Sequence, residues 1–270
     1  MKDFILYFFR GFFLFFSNAG FRTFVRLFIS NAFKKRYTEY TVSVDSLKIR
    51  VADMKSFVWQ YQEIFFHNFY AFNTSSKHPV IYDCGSNIGT SVLFFSKKYP
   101  TAQIHAYEAS PYIYSILKHN VEVNKITNAT LHQKAVWIKN ETLEFNDEGA
   151  DSGSVYSVSN TKKIKVQAID FLEALNKETR IDMLKMDIEG AEDVIIPHIA
   201  PALHKIDRMF IEYHTFNGKE QKLDEILILL RQNNFRFYIR HVNNRKAPFI
   251  DTAKDKDMDM QLNIFAYKEQ

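Results

Sequence analysis

VIYDCGSNIG, residues 80–89, is the stretch on which the reading of this chain turns. Val80, Ile81 and Tyr82 form a short apolar run that ends at Asp83, as a buried strand does. Gly85 and Gly89 follow, with Asn87 between them. Glycine at 85 lets the backbone approach a ligand closely. Gly89 lets the start of the next helix pack against the strand, and free N–H groups at a helix start favour an anionic group. The stretch therefore predicts a strand, a glycine loop and a helix start, placed where open α/β sheets hold ligands.

Outward from this point, strand and helix signals alternate. GTSVLFFSKKY (89–99) reads as a helix stopped by Pro100, and QIHAYE (103–108) as a strand. SPYIYSILKHNVEVN (110–124) reads as a helix with Ser110 as N-cap and Pro111 at its first position. ATLHQKAVW (129–137), KIKVQAI (163–169), DMLKMDIEG (182–190) and DRMFIEYH (207–214) read as strands. DFLEALNK, AEDVIIPHIA and KEQKLDEILILLRQNN read as the helices between and after the last of them. FRFYIRHV and LNIFAYK close the chain as two strands joined by a charged loop with no helix, so one of them is expected to run antiparallel. Upstream, YTVSVDSLKIRV (40–51) alternates like one or two short strands, and FVWQYQEIFFHNFYAF (57–72) reads as an aromatic helix. The expectation is an α/β fold: a doubly wound, mostly parallel sheet of about seven strands with one antiparallel strand near the end and helices on both faces.

The loop after the first strand is not a dinucleotide fingerprint, because residue 87 is Asn where a glycine is wanted. It is not a P-loop, because no Lys-Ser or Lys-Thr follows. An acid at 83 repels a pyrophosphate and suits an ammonium group. Glu108 ends the next strand, where an acid accepts the hydroxyls of a ribose. A ligand with an amino-acid end and a ribose is S-adenosylmethionine. The alternative is that Asp83 and Glu108 are helix caps; their placement on two successive strand ends favours the ligand.

These residues resemble a known family. Asp83-Cys84-Gly85-Ser86-Asn87-Ile88-Gly89, Tyr107-Glu108-Ala109-Ser110-Pro111 and Lys185-Met186-Asp187-Ile188-Glu189-Gly190-Ala191-Glu192 are similar to the FkbM-type methyltransferases. The KMDIEGAE run is the more specific signal; the glycine loop is shared by many methyltransferases. Ala135-Val136 and Asp151-Ser152-Gly153-Ser154 also fit, and the resemblance covers roughly residues 60–245. It implies the class I (Rossmann-like) methyltransferase fold, S-adenosylmethionine as cofactor, and methyl transfer, most often to an oxygen of a sugar, polyketide or similar metabolite. Carried onto this sequence, the cofactor residues are Asp83, Gly85, Ser86, Asn87, Gly89, Glu108, Ala109, Ser110 and Ala135. Glu63, in the helix before the loop, is a further candidate for the methionine end.

Methyl transfer holds the acceptor oxygen about 3 Å from the sulfonium methyl, in line with the leaving sulfur. A hydroxyl acceptor also benefits from a base. His214 is the first choice, its ordinary pKa near 6.5 suiting proton abstraction, with Glu212 or Asp187 orienting it. The alternative for His214 is a structural hydrogen-bond role. Lys185 is expected to pair with Glu189 or Glu192. In a different reading Asp187, Glu212 and His214 hold Mg²⁺. The polar stretch NDEGADSGSVYSV (146–158) is expected to form a hairpin whose loop, 146–156, closes over the acceptor with Tyr156 against a sugar ring.

The first 38 residues stand apart as a Phe-rich basic segment; residues 39–270 are expected to form the methyltransferase domain. FILYFFRGFFLFF (4–16) is interrupted by Arg10 and Gly11 and falls short of the roughly 20 apolar residues of a membrane span, and no signal-peptide cleavage site follows. Across residues 1–36, Arg10, Arg22, Arg26, Lys34, Lys35 and Arg36 alternate with aromatics, which fits a helix lying on an anionic membrane surface; packing on the domain or on a second subunit, as in a homodimer, is the other reading. A cytoplasmic protein, peripheral on the inner face of a membrane, is expected. The single cysteine, Cys84, rules out an internal disulfide and is read as a buried filler. A net charge of +4 gives no nucleic-acid signature, and the sequence has no N/D-P-P-Y/F/W motif, so a nucleic-acid methyltransferase ranks behind a small-molecule or glycan enzyme. A non-catalytic module with a surviving cofactor fold is the third reading.

Overall fold

The central strands are short apolar runs buried on both faces, as parallel strands covered by helices must be. The computed structural model describes residues 14–147, 153–154, 162–242, 247, 249–250 and 258–269. In chain order the elements are α1 (Ala19–Asn31), β1 (Tyr40–Val44), β2 (Leu47–Val51), α2 (Met54–Tyr61), β3 (Val80–Cys84), α3 (Thr90–Lys98), β4 (Gln103–Tyr107), α4 (Pro111–Val123), β5 (Ala129–His132) and β6 (Ala135–Trp137). There follow β7 (Thr142–Asp147), β8 (Gly153–Ser154), β9 (Lys162–Asp170), α5 (Phe171–Leu175), β10 (Met183–Met186), α6 (Glu192–His198), β11 (Arg208–Phe216), α7 (Leu223–Gln232), β12 (Arg236–His241) and β13 (Met258–Tyr267).

The main sheet has seven strands in the order β12-β13-β11-β10-β3-β4-β5. Strands β11, β10, β3, β4 and β5 run parallel to one another, and β13 is antiparallel to both β11 and β12. This is the expected architecture, with the antiparallel strand where the helix-free connection required it. Ile81, Ile104, Met183 and Phe210 face one core with Phe94 and Phe95 of α3. Tyr82, Leu184, Met209 and Ile211 face the other with Ile195, Ile226 and Leu230 of α6 and α7. Helices therefore cover both faces. The strand order turns between β3 and β10, which opens the crevice at their carboxyl ends.

Local sequence explains the helix starts. Ser110 caps α4 and accepts from the Ile113 N–H, with Pro111 at the first position. Asp170 caps α5 through the Leu172 and Glu173 N–H groups. Asp53 caps α2 through Ser56 N–H, and also accepts from Tyr37 N–H and pairs with Arg36. The β1–β2 hairpin is tied to α4 by Asn120 and Asn124, whose amides bond the backbone of Arg50 and Lys48 in the manner of a paired strand.

Four sequence expectations change. The helix predicted over 57–72 begins at Met54 and ends in a single π-turn, Gln62–Phe66; Asn68 adopts a left-handed backbone that no helix can continue. The strand predicted over 129–137 breaks after His132 into β5 and β6, which join different sheets. The strand predicted over 182–190 stops at Met186, because Glu189 and Gly190 take positive φ. The division at residue 38 is not a packing boundary: Leu27 of α1 is buried in one cluster with Ile49, Phe57 and Ile113. The N-terminal run before residue 14, Tyr156 and most of the 146–156 loop lie outside the described residues.

Gly85 is the tightest point between β3 and β10. Its φ is +75°, and a Cβ there would sit 1.7 Å from the Asp187 carbonyl oxygen. Gly85→Ala is expected to cost about 3 kcal/mol or more, from left-handed strain plus the clash, as read by urea denaturation.

Candidate active site

The carboxyl ends of β3, β4, β10 and β11 border a cavity of about 590 Å³, within the range of small-molecule sites. Gly85, Ser86 and Asn87 line it from the loop after β3; Glu108, Ala109 and Ser110 from the loop after β4; and Ala135 from β6. Lys185, Asp187, Glu189 and Glu212 line it from β10, the loop beyond and β11, and Glu63 from the π-turn. Every predicted cofactor residue except Asp83 and Gly89 reaches this wall.

Those two residues do not line the cavity. Asp83 is fully buried behind the loop. It accepts from the Ser91 hydroxyl at 2.5 Å and faces the Lys185 ammonium at 3.5 Å. It braces the loop from behind the cavity wall. Gly89 caps α3 with φ +90°, and a Cβ there would strike the Leu117 side chain of α4 at 2.6 Å. Its part is helix packing.

Glu108 holds the two loops in place. One carboxylate oxygen accepts from Asn87 N–H and the other from Ser110 N–H, each at 2.9 Å. A carboxylate has about four lone-pair sites, so this is compatible with accepting ribose hydroxyls as well. The Gly85 and Ser86 N–H groups are taken by the Tyr107 carbonyl, at 3.0 and 2.9 Å.

Lys185 does not pair with Glu189 or Glu192. Its Nζ donates to the Gly85 carbonyl at 2.6 Å and lies 3.3 Å from Asp187 and 3.5 Å from Asp83. Strand register brings this about, because Lys185 on β10 lies directly beside Asp83 on β3. Burial by itself would push the ammonium down, but Asp187 and Asp83 raise its pKa well above the ordinary lysine value. It is a fixed charge.

His214 stands behind the cavity wall. It is 3% exposed and does not line the cavity. Its Nδ1 lies 3.4 Å from Glu192, and its Nε2 3.7 Å from both Glu189 and Glu212. Burial would lower its pKa, yet Glu189, Glu192 and Glu212 together raise it well above 6.5. Glu192 is fully buried, and its carboxylate also accepts from Ile188 and Gly190 N–H, which shapes the loop carrying Asp187 and Glu189. Burial, helped by Asp187, pushes Glu212 up to about 8 against the pull of His214. Burial likewise raises Glu189 and Glu63.

Among the described residues, one group has the reach to hold a metal: Asp187, Glu212 and His214, with ligand atoms within 4.8 Å of one another. Sequence reasoning misses two residues here. Gln261 enters from antiparallel β13, opposite His214 in register, and donates to Glu212. Trp59 lines the cavity from α2, where it reads as one aromatic among many. Glu189, which its place with Asp187 at a strand end also sets at the crevice, is a wall residue.

Residues 83–237, more than half of the chain, match the family model described as the methyltransferase FkbM domain. The chain belongs to the FkbM methyltransferase family. The FkbM chain is 26% identical over 156 residues to "Methyltransferase 1" of Beauveria bassiana (strain ARSEF 2860), a match covering 49% of this chain and 63% of that protein. It is 39% identical over 64 residues to "Methyltransferase sdnD" of Sordaria araneosa, covering 24% of this chain and 25% of that one. It thus spans less than two thirds of the curated relatives it matches. Similar solved structures include methyltransferase FkbM from Methylobacillus flagellatus KT, with TM-score 0.47, 15% identity, and 74% of this chain and 46% of that one covered. The M. jannaschii TYW2 structure in complex with AdoMet has TM-score 0.47 and 14% identity, with 88% of this chain and 89% of that one covered.

His214→Ala leaves the buried Glu192 and the half-buried Glu189 and Glu212 without the cation between them and is expected to cost about 3 kcal/mol. A folded pKa above the unfolded value means that the histidine stabilises fully below about pH 6.5 and progressively less as pH rises through the folded pKa. Urea denaturation of the two proteins should therefore show a gap that narrows as the pH is raised above 6.5.

Proposed function

We propose that this FkbM protein transfers a methyl group from S-adenosylmethionine to a hydroxyl oxygen of a sugar, a glycan precursor or a related metabolite. The observation that carries the reading is the pairing of two kinds of wall in one cavity. A glycine loop braced by Glu108 suits the nucleoside end of the cofactor, with Ser86, Asn87, Ala109, Ser110 and Ala135 around it. Asp187, with Glu63, Glu189 and Glu212 beside it, offers carboxyl oxygens to its ammonium and sulfonium ends. The family membership supports the same chemistry.

In the transfer, the acceptor oxygen forms its bond to the methyl carbon as the carbon–sulfur bond breaks, and the sulfonium becomes a neutral thioether. The hydroxyl proton goes to Glu212, which lines the cavity and whose affinity for a proton near pH 8 suits a general base. Asp187 and Gln261 position it, and the buried His214 imidazolium offsets the local negative charge. This replaces His214 as the base. A divalent-cation site at Asp187, Glu212 and His214 is the weaker reading, because an imidazole that keeps its proton has no lone pair to give a metal. A second subunit and a cytoplasmic place at the inner membrane face remain parts of the proposal. No helix among the described residues is long and apolar enough to cross a membrane.

Titration with S-adenosylhomocysteine in a calorimeter should show saturable binding, weakened about tenfold to hundredfold in Glu108→Ala; a folded protein that binds none would overturn the cofactor assignment. With an acceptor in hand, turnover is expected to rise with pH up to about 8, where Glu212 ionises. Glu212→Gln should lower it by about 10²-fold or more and flatten that rise. Exhaustive EDTA treatment is expected to leave turnover unchanged; loss restored by Mg²⁺ would install the metal reading.

A further inference from the structure

The segment before the domain and the mouth of the cavity meet in one side chain. Trp59 on α2 lines the cavity and is 53% exposed. The same ring lies against α1, 5.9 Å from Phe24 and 6.0 Å from Phe28. Helix α1 turns Leu27 into the core and half-buries Phe21 and Phe24. Its outer side carries Phe28 and Ile29, followed by Phe33, which is 99% exposed. Arg22 and Arg26 lie one turn apart beside Ile29 on the helix surface, and both are exposed, as are Lys34, Lys35 and Arg36. No acidic residue occurs between Phe4 and Tyr37.

We infer that this face docks on an anionic phospholipid bilayer and that the acceptor is an amphiphile whose polar, hydroxyl-bearing head enters the cavity past Trp59. The inference rests on the methyl-transfer reading of the cavity. An apolar ridge flanked by Arg22, Arg26, Lys34 and Lys35, in a segment that carries no acid of its own, is complementary to a negatively charged surface with an apolar interior; Asp45 at Thr23 and Asp53 at Arg36 are the acids that meet it. A second copy fits worse, because isologous pairing sets the same cations against each other. Continuity is the deciding point. The aromatic patch does not lie elsewhere on the molecule; through Trp59 it becomes the rim of the cavity. An indole that is half exposed and set against two phenylalanines is suited to the headgroup level of a bilayer. A protein seated there presents its active-site mouth to lipid headgroups, and a freely diffusing sugar needs no such arrangement.

The test uses the full chain with vesicles of phosphatidylcholine, with or without phosphatidylglycerol. Co-flotation is expected with the anionic vesicles and is reduced by salt. Ile29→Glu combined with Phe33→Glu should lower the partition coefficient about tenfold or more, while S-adenosylhomocysteine binding without vesicles stays at the wild-type value. That control separates this proposal from the cofactor reading: its loss indicts the fold or the site, not the membrane. In a Trp137→Phe background, Trp59 is the remaining tryptophan, and its emission should shift to the blue on adding anionic vesicles. With radiolabelled S-adenosylmethionine and a polar lipid extract, label should enter the organic phase. The proposal fails if wild type stays with the soluble fraction, if the double variant floats equally well, if the chain floats with Trp59 emission unmoved, or if label enters water-soluble sugars alone. It also fails if the double variant instead converts a stable dimer into monomers.

Discussion

A buried ammonium at the turning point of the sheet holds this site together. Lys185 sits on β10 beside Asp83 on β3, and its Nζ reaches the Gly85 carbonyl as well as the Asp187 carboxylate. A lysine so enclosed is costly unless it is paired and hydrogen-bonded. Here one charge satisfies acids from two strands and a carbonyl from the glycine loop. The loop after β3 and the loop after β10 are thereby locked to each other at the crevice where the strand order turns. The close approach of Gly85 to the Asp187 carbonyl is the steric side of the same constraint.

A second charged cluster repeats this logic one strand further on. Glu192, at the start of α6, takes backbone N–H groups of the Ile188–Gly190 loop and faces His214 on β11. His214 in turn lies near Glu189 and Glu212. The histidine neutralises a concentration of carboxylates that would otherwise repel one another. Acids at the cavity wall are thus held beside two cations, Lys185 in the wall and His214 behind it. Glu189 is held in a left-handed backbone within this loop, the kind of local strain that surrounding structure sustains at functional sites.

The cofactor loop is legible in the sequence because its signals are local. A strand ending in Asp83, a loop needing positive φ at Gly85, and Glu108 at the next strand end all lie within a few residues of the features that explain them. The antiparallel strand is legible for the same reason, from a connection with no helix. The roles of Asp83 and His214 are not. Their places at strand ends point to the cavity, yet each is buried behind it, and burial depends on which elements cover a strand end. Gln261 lies far from His214 in sequence and reaches it through strand pairing alone.

The doubly wound sheet, the position of the glycine loop, the family, and an aromatic, basic segment with no acids are all written in the residues themselves. Periodicity, caps and glycine demands are short-range properties, set residue by residue. Folding in three dimensions settles which acids face the cavity and which stand behind it, and which charges are locked by partners. It also brings the first segment to the cavity rim. Those outcomes depend on strand register and on packing between residues distant in the chain. Trp59 shows the difference plainly: in the sequence it is one more aromatic, and in the fold it joins the cavity to the face carried by α1.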